Sequence, residues 1–337
     1  MKIYIRAIAS ISPEPGGGGA VAANHQAPPP AEVGAVSATD QAPPPGAATT
    51  GNRLKAIEPD YSVYIDAKSI RRMSRIVKMG VAAAFQCLKD AEIAVPDAII
   101  TGTAYGCLGD TEVFLSRLIE QQEEALSPTA FIQSTHNTVG AQIALMLQCT
   151  GYNNTFVHRG FSFESALLDA VMLIQEGEAK TVLTGGLDEI TDASHAILER
   201  FGLYKNGAAD GEGATFFLLA SEPSGKDHAI LEGLDTFYKP ATTADVENKI
   251  DRFLSAYSLK KEDIDLVLTG ADYKHICGEY PTASAFALAM AAKALNEAAT
   301  GKGAAIGTGV ATGKPNRILI HNNYLDIHHS LMLVTKC

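Results

Sequence analysis

The sequence predicts an α/β protein with a mostly parallel or mixed sheet that helices cover on both faces. Short, continuously apolar segments such as residues 98–103 and 181–187 alternate with a longer segment of helical periodicity at residues 69–89. Continuously apolar strands are typical of a sheet buried on both sides. The alternation runs through the chain twice, which indicates two successive halves, an internal duplication without a clear sequence repeat. With 337 residues, the chain can bury a large core.

The segmentation follows from composition and periodicity. We expect residues 1–13 to form the first core strand, residues 52–225 the first half of the fold, and residues 226–337 a shorter second half. Residues 14–51 interrupt the first half with a run of four glycines and two runs of three prolines. Such a segment buries too little apolar surface to offset its ordering entropy, so we interpret it as a disordered insertion.

Strands and helices are predicted in both halves of the chain. In the first half, strands are expected at 2–12, 98–103, 154–158 and 181–187, a pair of strands at 214–220 and 230–237, and helices at 69–89, 111–124, 131–148 and 162–175. In the second half, helices are expected at 244–257 and 283–299, and strands at 264–269, 318–321 and 331–335.

Bulk properties exclude several classes of function. The net charge of -11 argues against general nucleic-acid binding, which needs clustered Lys and Arg. The five cysteines are scattered without a CxxC pair, which fits a reducing compartment and predicts neither a disulfide framework nor a metal site. There is no apolar stretch of about 18 residues and no signal-peptide core. We therefore expect a cytoplasmic protein with no membrane span and no cofactor.

Four motifs, in order, carry a family resemblance. Residues 127–131 read Ser-Pro-Thr-Ala-Phe, with Ser-Thr-His-Asn at 134–137 and a glycine at Gly140. A strand–turn–helix pattern follows at 155–170, and then Gly-Glu and Gly-Gly landmarks at 177–178 and 185–186. Gly-Glu-Gly-Ala stands at 211–214, and Lys274 and Gly278 lead into a helix of small residues.

Together these motifs resemble the ketosynthase (β-ketoacyl-ACP synthase) family of the thiolase superfamily, in its short N-terminal-domain-like branch. The resemblance covers roughly residues 60–337 and implies a thiolase-like fold, a duplicated αβαβα layered core. It is most similar to the ketosynthase-like proteins of aryl polyene and flexirubin-type pigment pathways.

The resemblance also shows what this chain lacks. A ketosynthase carries a cysteine nucleophile at the strand-to-helix turn, where the helix N-terminus lowers the thiol pKa, and two histidines that polarise the substrate. Ungapped alignment on the glycine landmarks places Gly160 at the cysteine position. The histidine positions fall on Thr269 and Glu279, while the family lysine is retained as Lys274. We therefore expect no catalytic residues of the family type.

Chain-length factors have the same character: they keep the ketosynthase fold, lose the cysteine and pair with an active ketosynthase. The resemblance thus implies a non-catalytic subunit in fatty-acyl, polyketide or aryl polyene biosynthesis, with an active ketosynthase (heterodimer), a second copy (homodimer) and an acyl carrier protein as partners. We expect the edge strand at 154–158 to mediate pairing. His136, Asn137, His158, Phe161 and Phe163 are the expected interface or acyl-pocket residues.

Two other functions remain open. An acyltransferase or condensing enzyme would need a displaced nucleophile, for which Cys107, Cys277 and Ser162 (beside His158) are the candidates. Buried cysteines and helix-capping serines are the more common explanation. A homodimeric scaffold is the third possibility. A basic helical face at Arg71, Arg72, Arg75 and Lys78 is usually a solvated surface, but it would also suit an acidic carrier protein.

Overall fold

A computed structural model describes residues 2–13, 53–124, 126, 128–204, 208–300, 305–306, 309–310 and 315–337. The predicted insertion at 14–51 lies outside the described residues. The described helices are α1 (Ala67–Ile70), α2 (Arg75–Ala91), α3 (Leu108–Glu120), α4 (Pro128–Gln133), α5 (Thr138–Leu147), α6 (Ser162–Gln175), α7 (Asp192–Arg200), α8 (Thr243–Ala256), α9 (Gly270–Cys277) and α10 (Ala283–Thr300).

The described strands are β1 (Ile3–Ile11), β2 (Arg53–Leu54), β3 (Ala98–Gly102), β4 (Tyr152–Phe156), β5 (Thr181–Asp188), β6 (Asp210–Gly211), β7 (Gly213–Ala220), β8 (Ala229–Tyr238), β9 (Leu266–Thr269), β10 (Ala305–Ile306), β11 (Gly309–Val310), β12 (Arg317–Tyr324) and β13 (His328–Thr335). Most predicted elements are present, with bounds shifted by a few residues. The helices predicted at 69–89 and 131–148 are each interrupted, at residues 71–74 and 134–137. No described helix is long and apolar enough to cross a membrane.

Nine strands form one mixed sheet in the order β4-β3-β5-β7-β1-β8-β13-β12-β9. The strands near each edge run parallel, and those near the centre run antiparallel. The predicted pairing of 214–220 with 230–237 is wrong, because β1 lies between β7 and β8 and pairs with both. Two consecutive strands favour a hairpin by proximity, but the first strand of the chain takes the place between them.

The two halves of the sheet repeat one topology. Read from the outside inward, β3, β5, β7 and β1 have the same sequence order and relative directions as β9, β12, β13 and β8. The halves meet where β1 pairs antiparallel with β8. The first half has one further strand, β4, parallel to β3 at its outer edge.

Three apolar clusters define five layers. The first joins α2 and α5 to the outer face of the first-half strands, and it includes Ile76, Val81 and Ile143. The second lies between the two halves of the sheet and contains α6 and the alanine-rich α10. The third joins α8 to the second-half strands through residues such as Phe253 and Leu331. This arrangement is the expected αβαβα core, and it places the start of α6 near the centre of the molecule.

Candidate active site, with the nucleophile position occupied by neighbouring rings

A tight turn connects β4 to α6 at the position expected for a nucleophile. Residues 159–161 form a single 3₁₀ turn, and Arg159 adopts a left-handed backbone conformation with φ of 51°. The Ser162 hydroxyl accepts a hydrogen bond from the His158 backbone N–H and donates one to the Arg159 carbonyl, both at 2.8 Å. Ser162 therefore closes this turn, and it is not the helix cap expected from the sequence.

Gly160 is buried within the turn and has no room for a side chain. A Cβ atom built on Gly160 would lie 2.7 Å from Cδ1 of Tyr324 and 2.9 Å from Cβ and Cγ of His328. Tyr324 is the last residue of β12, and His328 is the first residue of β13. The His328 ring also packs edge-on against Phe161, with the centroids 4.8 Å apart. The volume that a nucleophilic thiol would need is thus filled by rings from the second half of the chain.

The residues at the two expected histidine positions, Thr269 and Glu279, make structural hydrogen bonds. Thr269 caps α9: its N–H and hydroxyl donate to the Asp272 carboxylate at 2.8 and 2.9 Å. Glu279 accepts a hydrogen bond from Lys274 Nζ at 2.8 Å. The same ammonium donates to the Asn323 carbonyl, beside Tyr324. Burial raises the pKa of Glu279, while Lys274 acts in the opposite direction. Neither side chain reproduces an imidazole donor.

The remaining space near this site is small. A cavity of about 20 Å³ lies among Tyr105, Asp188, Tyr204, Glu279 and Tyr324. That volume corresponds to about one water molecule, whereas sites for small organic ligands are typically about 300–1,000 Å³. An acyl or malonyl group does not fit into this cavity.

Buried carboxylates near the cavity were not found by motif reasoning. Asp188 accepts hydrogen bonds from Thr103 and Thr282 and from the Ala104 N–H, and burial raises its pKa to about 6. Burial likewise raises the pKa of Glu189 to about 7. Glu189 directly follows Asp188 at the end of β5. The sequence signal that could have indicated them is a pair of acidic residues, Asp188 and Glu189, at the end of a buried strand.

Arg75 departs from its predicted role in carrier docking. Its guanidinium donates two hydrogen bonds to the buried Glu212, both at 2.6 Å, and a third to Glu58. Glu212 also accepts from the Ala56 and Ile190 N–H groups. Arg75 therefore forms an internal ion pair with Glu212, the glutamate of the Gly-Glu-Gly-Ala motif.

The other members of the basic face lie at the surface. Arg71 and Arg72 are exposed beside α1, and together with Lys68 they border a surface cavity of about 410 Å³. Lys78 is partly buried, and its ammonium lies 5.5 Å from the centre of the Tyr61 ring, a cation–π contact. Of the four predicted docking residues, Arg71 and Arg72 are thus the two that are fully exposed.

The proposed displaced nucleophiles are all inaccessible in this structure. Cys107 and Cys277 are fully buried, and burial raises the pKa of both thiols far above the ordinary range. Ser162 is also fully buried and holds the turn described above. A thiol with a raised pKa carries almost no thiolate, the species that attacks an acyl group.

The predicted interface residues divide into two groups. His136, Asn137 and His158 are exposed, and His158 Nδ1 lies 3.0 Å from the Ser165 hydroxyl. Phe161 is partly exposed at the turn. Phe163 is fully buried in the central layer and packs against Phe217 with the ring centres 5.7 Å apart. It therefore does not lie at an exposed interface, and its role as an acyl-pocket residue stays a prediction. Among the described residues there is no cluster of three or more His, Cys, Asp or Glu suited to a metal ion.

A histidine pair lies next to the first histidine position. His321, which pairs with Thr269 across the sheet, has Nε2 at 3.1 Å from Nδ1 of His329. The Phe237 ring is stacked on both imidazoles. Because one nitrogen must donate and the other accept, the pair suits two neutral rings. Burial is the main cause that lowers the pKa of His321 to about 4, and the neighbouring His329 contributes in the same direction.

Comparison with known proteins agrees with this architecture. Residues 55–203 match the family model for the β-ketoacyl synthase N-terminal domain. Over 144 residues the chain is 28% identical to the 3-oxoacyl-[acyl-carrier-protein] synthase 2 of Synechocystis sp., a match that covers 41% of this chain and 35% of that protein. The protein of the same name from Staphylococcus aureus strain N315 is 24% identical over 131 residues, which cover 37% of this chain and 32% of that protein. The match thus spans about a third of these curated relatives.

Solved structures resemble the whole chain. The ishigamide ketosynthase/chain length factor superposes with a TM-score of 0.74 at 16% identity, covering 100% of this chain and 99% of that one. A type II PKS acyl-carrier protein in complex with its ketosynthase gives 0.74 at 12% identity, with 100% and 99% covered. A β-ketoacyl synthase from Burkholderia phymatum gives 0.67 at 14%, with 85% and 88% covered. The expected family resemblance is confirmed: the chain has the thiolase-like fold of these ketosynthase structures, and residues 55–203 match the β-ketoacyl synthase N-terminal domain.

Gly160→Ala is expected to destabilise the protein by about 1–3 kcal/mol, because the added methyl group must displace the Tyr324 and His328 rings. Gly225→Ala is the matched control, since a Cβ there has no neighbour within 4 Å, and its effect should stay within about 0.5 kcal/mol. Urea unfolding of both variants measures the difference. Equal stability of the two variants would show that the turn has spare room.

Acidification should weaken the fold through His321. An unfolded histidine titrates near pH 6.5, and the pKa of His321 in the folded state is about 4. The unfolded chain therefore binds the proton more readily, so this contribution to stability is complete above about pH 6.5 and is lost as the pH falls toward 4. Because the ring is partly reached by solvent, we expect a loss of about 1 kcal/mol. Denaturant unfolding at pH 7 and 4.5 should show a smaller pH effect in His321→Gln; identical pH dependence in both proteins would contradict this assignment.

Proposed function

We propose that this chain is a non-catalytic, chain-length-factor-like subunit that pairs with an active β-ketoacyl synthase in the building of fatty-acyl or polyketide chains. The observation that carries the proposal is the β4–α6 turn, where Gly160 has no side chain and the Tyr324 and His328 rings fill the adjacent space. Thr269 and Glu279 at the histidine positions support it, because each is engaged in a structural bond. Within this class, we propose an aryl polyene or flexirubin-type product.

The outer edge of the first half supports a role in pairing. β4 is the last strand of the sheet on that side, so one row of its backbone groups faces away from β3. Apolar side chains are exposed on this strand and on its flanks: Leu145, Tyr152, Val157, Leu168 and Met172. An open edge bordered by apolar side chains is an aggregation hazard unless another chain covers it. We propose that a ketosynthase covers it in a pseudo-symmetric heterodimer, in preference to a second copy of this chain.

The alternative is an acyltransferase or condensing enzyme with a displaced nucleophile. The burial of Cys107, Cys277 and Ser162 argues against it. Intact-protein mass spectrometry after incubation with acyl-loaded carrier protein tests both functions, and we expect no adduct. A stable acyl adduct mapped to one of these three residues would favour the alternative function.

Pairing should depend on the β4 edge. Val157 directly follows β4 and is 46% exposed, so Val157→Lys places a charge at the edge without disturbing the core. The variant should lose at least about tenfold in affinity for a ketosynthase with an intact Cys-His-His set, which corresponds to about 1.4 kcal/mol.

Ile197→Lys is the control, because Ile197 is 55% exposed on α7, away from β4. Sedimentation velocity of each variant with and without the ketosynthase measures the assembly. A wild-type chain that stays monomeric in every mixture would refute the subunit proposal.

Carrier-protein binding should depend on the two exposed arginines of the basic face, Arg71 and Arg72. Arg71→Glu and Arg72→Glu each reverse a charge beside the cavity on α1, and we expect a several-fold weaker interaction with an acidic acyl carrier protein for each. The effect should diminish at high salt. Lys89→Glu, an exposed reversal at the end of α2, is the control. Fluorescence anisotropy with labelled carrier protein tests this; unchanged affinity in the Arg71/Arg72 double variant would exclude this face as the docking site.

A further inference from the structure

Two adjoining hollows lie on the first half of the fold, where α1 and α2 meet α4 and α5. The larger is a groove of about 480 Å³, and the smaller is the basic hollow of about 410 Å³ beside α1. Arg72 lines both, so the two form one continuous depression with two chemically different ends. Each volume lies within the range of about 300–1,000 Å³ that is typical of sites for small organic ligands.

The smaller hollow is cationic. Lys68, Arg71 and Arg72 line it, and all three are exposed. Within the part of the chain that the structure describes, none of them takes part in an ion pair. The neighbouring carboxylate of Asp66 accepts hydrogen bonds from the Lys68 and Ser69 N–H groups and so caps α1. Although the whole chain carries a net charge of -11, this end of the depression therefore attracts an anionic group.

The larger groove offers apolar contact along its length. Met73, just before α2, and Val77 on α2 line one side, and Ala141 and Leu145 on α5 line the other. Ile132 on α4 completes the apolar lining. Val77 is buried, whereas Ile132 and Leu145 are 63% and 73% exposed at the rim. A bound apolar chain would remove these two side chains from water, which favours its binding.

Several polar side chains of the groove already have partners within the protein. The hydroxyls of Thr135 and Thr138 lie 2.9 Å apart, and each lies 3.2 Å from the Ile132 carbonyl. The Gln133 amide donates to the Arg72 carbonyl and so joins α4 to the turn after α1. Because these groups are satisfied internally, they require little from a ligand, and apolar contact decides what binds in the groove.

We propose that this depression binds a free single-chain anionic amphiphile, a medium-chain carboxylate such as dodecanoate. The carboxylate lies against Arg71 and Arg72, and the alkyl chain lies along α5 toward Leu145. Between Thr138 and Leu145, α5 rises by about 10 Å, which suits a chain of medium length. Leu145 also borders the β4 edge, so the groove ends where the proposed ketosynthase interface begins. The inference goes beyond the proposed subunit function and does not depend on it, because this chain alone supplies the whole lining.

The experiment is isothermal titration calorimetry of the full chain with dodecanoate below its micelle concentration. We expect saturable one-to-one binding, and no binding of acetate, which has the anionic group without the chain. Dodecyl maltoside, which has the chain without the anion, should bind at least about tenfold more weakly. Equal affinity for dodecanoate and dodecyl maltoside would overturn the proposal, and so would the absence of saturable dodecanoate binding.

Two variants locate the site. Arg72→Gln removes a cation shared by both hollows, and Ile132→Asn removes exposed apolar surface from the rim. Each should weaken dodecanoate binding at least about fivefold. The matched controls are Arg252→Gln, at an exposed arginine of α8, and Ile197→Asn, at a residue 55% exposed on α7. Both controls should bind like wild type, and thermal melting verifies that each variant is folded.

The same measurements separate this ligand from other occupants of the depression. Unchanged dodecanoate affinity in either Arg72→Gln or Ile132→Asn would overturn the proposal. Self-association of the unliganded chain that Ile132→Asn abolishes would also overturn it, because the occupant would then be a second copy. A double Arg71/Arg72 variant that loses carrier-protein binding but keeps dodecanoate binding would assign the basic hollow to the carrier protein alone, and would likewise refute the amphiphile site.

Discussion

The space beside Gly160 is shared by two turns that come from opposite halves of the chain. The β4–α6 turn approaches so closely that a Cβ on Gly160 would overlap Tyr324 at the end of β12 and His328 at the start of β13. Close-packed interiors cannot accept an extra atom without displacing another. Glycine is therefore the residue that lets the two halves meet here.

A buried polar network links the first turn of α6 to β12 and β13. Glu164, in the first turn of α6, accepts a hydrogen bond from the Ser330 hydroxyl at 2.7 Å and lies 3.4 Å from Nδ2 of Asn322. Tyr273 on α9 donates to the same asparagine. Burial raises the pKa of Glu164, while its hydroxyl and amide partners act in the opposite direction. Buried polar groups specify a geometry when their partners are in place, so this network fixes α6 against β12 and β13.

Local patterns in the sequence predicted a helix or strand reliably where the periodicity of that one element is enough to define its bounds. The predicted bounds of α6 agree with the structure because its apolar periodicity is uninterrupted. Local patterns could not reveal contacts between residues that lie far apart in the sequence. Arg75 belongs to a regular basic face, yet its partner Glu212 lies 137 residues away. Phe163 follows a turn in sequence but points into the central layer. Alignment of glycine landmarks located Gly160, whereas the rings that cover it could be identified only from the tertiary structure.

The central place of β1 has a consequence for how the chain reaches this fold. β1 joins the two halves of the sheet, and its partners include Ala220 in β7 and Leu231 in β8. During synthesis, β1 leaves the ribosome more than 200 residues before its partner residues in β7 and β8 have been made. Pairings this distant close large loops and form slowly. Meanwhile the apolar residues of β1 are available to other chains, so production of this protein should benefit from slow translation and from chaperones that shield nascent apolar segments.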